Sequence, residues 1–139
     1  MNITLDTKML RKAEKQDLMV KITRYVGKVL DYIIDFEKWS AVEIEREVGV
    51  RNTRMTEIRN YDKYKKPIGE KDLTLFITGG VMKVKDLMKK VELNEKETRY
   101  LETLLIFEDE NVRKKYRKIV NAGLDPNKLL DEIMQKYNL

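Results

Sequence analysis

The stretch SAVEIEREVGVRNTRMTEIRN, Ser40 to Asn60, decides how this chain folds. Ser40 followed three residues on by Glu43 is a capping box. In it the hydroxyl accepts a backbone N–H and the carboxylate reaches back to the cap. A short helix is therefore expected to run to about Val48. Gly49 stops it, because glycine takes the left-handed conformation without a Cβ penalty. A second helix follows from about Asn52 to Asn60. Ile44 and Val48 lie four apart on the first helix, and Met55 and Ile58 three apart on the second. With apolar Val50 after the glycine, the second helix can fold back across the first and keep Asn52, Thr53, Thr56 and Arg59 exposed.

Outward from this pair the pattern stays helical. Leu18, Ile22, Tyr25, Val26, Val29, Ile33 and Phe36 recur at three- and four-residue steps, which predicts an amphipathic helix over about 17–37. Residues 1–16 are polar and basic (Lys8, Arg11, Lys12, Lys15), either an N-terminal arm or an extra helix. Tyr61 to Pro67, YDKYKKP, has no usable period and contains a breaker, so it reads as a loop. Glu70 to Ile77 is a further helix, stopped by Gly79-Gly80. Val84, Leu87, Met88 and Val91 mark the next. Asn94 with Glu97 is a second capping box, opening a helix through about Phe107. Val112, Tyr116, Ile119 and Val120 give another, closed by Gly123. Asp125-Pro126 starts a last helix, with Leu129, Leu130, Ile133, Met134 and Tyr137 on it. The expected fold class is all-α: a helix-turn-helix domain over 17–92 and a helical C-terminal region over 93–139.

Composition narrows the chemistry. Of 139 residues, 38% are charged, and only 6 Gly and 2 Pro are available for turns, which favours helices with charged surfaces. There is no Cys and no His. That removes disulfides, zinc fingers, cysteine nucleophiles, serine triads and histidine-ligated metals. Acid pairs such as Glu108 and Glu110 sit where helix-terminus charges belong. No phosphate-binding glycine loop accompanies them, so no enzyme, cofactor or metal is expected. No run approaches the ~18 apolar residues of a membrane span. The first 17 residues carry charges throughout, so a cytoplasmic location and no membrane partner are expected. The net charge is +5. From Arg51 to Lys66 six bases face two acids, whereas from Asn94 to Leu139 nine bases meet nine acids. The positive charge gathers where the helix pair lies, as a polyanion site or as a solvated basic loop.

The segment resembles the helix-turn-helix of the phage repressor and Cro (XRE-type) family. That family has an apolar residue where Ile44 stands, Gly-Val at Gly49-Val50, and apolar residues at Met55 and Ile58. It often ends in Asn-Gly, of which Asn60 is present. Two positions differ: Glu45 stands where a small residue is usual, and Tyr61 where Gly is. The first difference implies an outward-turned Glu45 or a wider crossing. The resemblance covers a five-helix layout over roughly 18–91. It implies a sequence-specific regulator of transcription, a repressor by expectation, that puts the second helix into the major groove of double-stranded DNA. Asn52, Thr53, Thr56 and Glu57 would then face base edges, where Asn pairs with adenine and Thr meets a base or a thymine methyl. Asn52 as a helix cap and Thr56 as a merely solvated residue are the competing readings. Arg51, Arg54, Arg59, Lys63, Tyr64, Lys65 and Lys66 would hold phosphates or bases; tyrosine rings such as Tyr61 and Tyr64 are more often packing residues than DNA contacts. Such proteins usually bind as homodimers, and residues 93–139 are either the dimer interface or the completion of the core. An antitoxin that binds DNA and a partner protein, and a helical adaptor for protein contacts, are the alternatives.

Overall fold

The computed structural model describes residues 10–37 and 39–125, together with Lys128. Among these the chain is all-α, with no strand. The elements are α1 (Lys12–Asp35), α2 (Ala41–Val48), α3 (Asn52–Arg59), α4 (Tyr61–Tyr64), α5 (Glu70–Thr78), α6 (Val84–Lys90), α7 (Glu95–Thr103) and α8 (Glu110–Asn121). A 3₁₀ segment, Leu104–Glu108, joins the last two. Residues 1–9 and the expected final helix from Asp125-Pro126 onward lie outside the described residues, apart from Asp125 and Lys128.

The first helix buries Leu18, Ile22, Val26, Leu30 and Ile33 along one face, as its period requires. It begins at Lys12, earlier than the apolar period suggests, so Lys12 and Lys15 belong to α1 and not to an arm. Polar contacts hold this first stretch: Lys15 forms an ion pair with Glu70 of α5, and Glu14 accepts the Arg11 backbone N–H at 3.1 Å. Leu10, just before the helix, is buried.

The middle of α1 meets α3 closely. Gly27 is buried there, and a Cβ on it would lie 2.9 Å from the Ile58 carbonyl oxygen. Met55 and Ile58 turn into the core beside Ile44 and Val48. The expected loop at 61–67 instead starts with one helical turn, α4, ended by Lys65 at φ 54°. Four residues are too few to leave a periodic trace. The chain then returns to the core at buried Ile68. There the Thr23 hydroxyl accepts the Ile68 N–H (2.8 Å) and donates to the Met19 carbonyl (2.5 Å).

The C-terminal helices share this core. Tyr100, Leu101, Leu104, Phe107, Val112 and Tyr116 are buried in the same cluster as the residues of α1 to α6. The Phe107 and Tyr116 rings meet edge to face, centroids 5.2 Å apart. Burial pushes the Tyr116 hydroxyl up to about 12. Of the two readings of residues 93–139, the described part completes the core. The second capping box is present: Asn94 Oδ1 accepts the Glu97 N–H (2.8 Å), and Glu97 accepts the Asn94 N–H (3.0 Å). Glu97 is itself buried and paired with Lys21 of α1 at 2.9 Å. No helix among the described residues is long and apolar enough to cross a membrane.

Candidate nucleic-acid interface

The candidate site is built on α2, the turn Gly49-Val50-Arg51, and α3. Ser40 caps α2 by accepting the Glu43 N–H at 3.1 Å. The Glu43 carboxylate meets the Ser40 hydroxyl at 3.0 Å, where a full capping box would take the Ser40 backbone N–H. Gly49 sits at φ +91°, so the turn uses the conformation that only glycine enters cheaply. Val50 is buried and anchors the turn to the core. Arg51 is the N-cap of α3 and makes no side-chain cap bond. Asn52 is the first helical residue, so its side chain is not the cap; it is exposed.

Glu45, the residue that departs from the family pattern, is half-buried and turns toward α3. Its Oε1 accepts the backbone N–H of Asn52 at 2.6 Å. The carboxylate therefore links α2 to the first residue of α3.

The sequence-predicted contacts divide into two groups. Arg51, Asn52, Thr53, Thr56, Lys63, Tyr64, Lys65 and Lys66 are exposed. The Thr56 hydroxyl donates back to the Asn52 carbonyl (3.1 Å), which leaves both lone pairs of its oxygen able to accept. The Lys63 ammonium lies over the Tyr64 ring at 5.2 Å, and Lys65 stands 5.7 Å from the Tyr61 ring. Tyr61 is half-buried, also under Arg24 at 5.0 Å.

Arg54, Glu57 and Arg59, which the sequence assigns to DNA, have partners inside the protein. Arg54 donates to the Pro67 carbonyl (2.5 Å) and the Lys66 carbonyl (3.4 Å), and its guanidinium lies 3.5 Å from both Glu57 and Asp72. It ties α3 to the chain entering α5. Glu57 pairs with Lys66 at 2.9 Å. The hydrogen bond from Lys66 holds its carboxyl below the usual value, with help from the charges of Lys66 and Arg54. Arg59 donates to Asp31 of α1 at 2.6 Å.

Sequence reasoning missed three positioning contacts: Glu45 at the start of α3, Thr23 beneath Ile68, and Arg117. Arg117 of α8 donates to the carbonyls of Val48 (2.9 Å) and Glu47 (2.7 Å), groups that the end of α2 leaves without helical partners. The signal for Glu45 was its departure from a small residue; the other two left none. Compared with known protein families, curated proteins and solved structures, the chain finds no match.

Proposed function

We propose that this protein is a sequence-specific regulator of transcription, a repressor, that binds double-stranded DNA through a five-helix repressor-like domain. In this reading α3 enters the major groove, and a cytoplasmic homodimer places two such helices on half-sites ~34 Å apart. The observation that carries it is the exposed face of α3: Asn52, Thr53 and Thr56 lie outward while Met55 and Ile58 are buried. Exposed Arg51 precedes that face, and Lys63, Lys65 and Lys66 follow it.

The chemistry suits a division of labour. Asn52 can pair with adenine N6 and N7, and Thr53 and Thr56 offer a hydroxyl and a methyl. The cations neutralise phosphates, which positions the protein without reading sequence. Arg54, Glu57 and Arg59 support α3 from inside and leave the reading set. The homodimer would use a surface other than the buried face of α7 and α8.

Selection from a random duplex pool, followed by titration at several salt concentrations, tests the proposal. If Arg51, Lys63 and Lys65 each neutralise one phosphate, log K falls against log salt with a slope of about −3 per protomer. Asn52→Ala relaxes preference at one base pair by about 1–3 kcal/mol. Lys63→Ala weakens all duplexes alike and flattens the slope by about 1. If both variants bind every duplex as the parent does, α3 does not face DNA.

A further inference from the structure

The start of α3 is the part that would meet base edges, yet the side chain of its cap residue, Arg51, makes no bond to it. The first amides of a helix have no intrahelical acceptor and must find one elsewhere. Here the acceptor comes from α2. Glu45 Oε1 takes the Asn52 N–H at 2.6 Å, a short, charge-assisted bond. The Glu45 main-chain carbonyl accepts the Gly49 N–H at 2.9 Å, the bond that closes α2. One residue thus ends the first helix and begins the second. The far end of α3 is held separately, by Arg59 on Asp31.

We infer that Glu45 is the positioning residue that sets specificity in the proposed DNA complex, by holding the first amide of α3 against α2 so that Asn52 and Thr53 meet the base edges in one orientation. The inference rests on the DNA-binding reading and deepens it. The carboxylate adds a second effect. It fills the positive end of α3, a place that would otherwise attract a phosphate. Backbone contacts are thereby left to the side chains of Arg51, Lys63 and Lys65, and the end of the helix is kept for bases.

Two measurements on the full chain test this. In the parent, the Asn52 amide exchanges with solvent more slowly than the Thr53 amide, which has no acceptor among the described residues. Exchange at the rate of an unbonded amide would overturn the inference without any variant. The second measurement is the ratio of affinities for a selected duplex and a scrambled duplex. Glu45→Ala loses the acceptor, and the ratio falls about tenfold, the loss of roughly one bidentate base contact. Glu45→Gln keeps an acceptor oxygen and retains the ratio within about twofold, although both variants bind all duplexes somewhat more tightly through the lost negative charge. A parent-like ratio for Glu45→Ala, or a Glu45→Gln ratio as low as that expected for Glu45→Ala, overturns the assignment. A parent with no duplex selectivity would instead fail the DNA-binding reading itself.

Discussion

Gly27→Ala is the most direct probe of the contact between α1 and α3. The new Cβ would stand 2.9 Å from the Ile58 carbonyl oxygen, 3.4 Å from the Arg59 Cα and 3.6 Å from the Ile58 carbonyl carbon. All three atoms belong to the α3 backbone, so no side chain can rotate away. Reaching the 3.4 Å edge of ordinary contact requires α3 to recede by about 0.5 Å. Overpacking of this kind costs about 1–3 kcal/mol. Against it, alanine in a helix interior is favoured over glycine by about 0.5–1 kcal/mol. The cost wins, and the variant is less stable by about 1 kcal/mol, which lowers the melting temperature by about 3–5 °C for a chain of this size. Urea denaturation followed by helical circular dichroism measures it, with the slope against denaturant unchanged because the buried surface is nearly the same. A Gly27→Ala protein more stable than the parent would refute the reasoning, since helix propensity alone would then have decided the outcome.

Arg54→Ala should cost about 1.5–3 kcal/mol, because it strips a charged donor from the Pro67 carbonyl and leaves Asp72 without its partner. Arg54→Lys should recover little of this, as an ammonium cannot span the same acceptors; denaturation of both variants decides. A chain ended at Val91 should not fold, as followed by circular dichroism and amide dispersion. It lacks Tyr100, Leu101, Leu104, Phe107, Val112 and Tyr116, whose burial is worth on the order of 10 kcal/mol, comparable to the whole stability of a domain. Glu57 gives a pH signature. Because its folded value is lowered, its contribution is present above the ordinary 4.5 and is lost as pH falls through the folded value. The parent should therefore be more stable than Glu57→Gln at pH 7, and the difference should close in acid; an equal gap at pH 7 and pH 2 would contradict the pairing with Lys66.

The helix pair was legible because its signals are local. Ser40, Gly49 and the spacings of Ile44 with Val48 and of Met55 with Ile58 all act within a few residues, and each is present in the structure. What stayed hidden depends on distant partners. Arg54 and Arg59 look like surface cations until Pro67, Asp72 and Asp31 arrive beside them from other elements. A periodicity argument follows apolar side chains, so it starts α1 at the first of them. It passes over Lys12 to Gln16, which polar contacts hold in the helix. The same bias split residues 93–139 from the rest: an amphipathic stripe shows that a face is buried, not what buries it. Among the expected reading residues, Asn52, Thr53 and Thr56 are exposed as anticipated, while Glu57 is drawn into the ion pair with Lys66.

The hydrogen bonds from Arg117 to the end of α2 have a mechanical consequence. The Arg117 guanidinium, 69 residues along the chain from Val48 and 70 from Glu47, is joined to the last two carbonyls of α2 and makes α8 a strut for the turn at Gly49. Load applied to α8, by a bound protein or by a covalent change, would reach that turn through these bonds and tilt the exposed face of α3. The helix pair therefore draws part of its support from α8, and without α8 the last two carbonyls of α2 lose these donors.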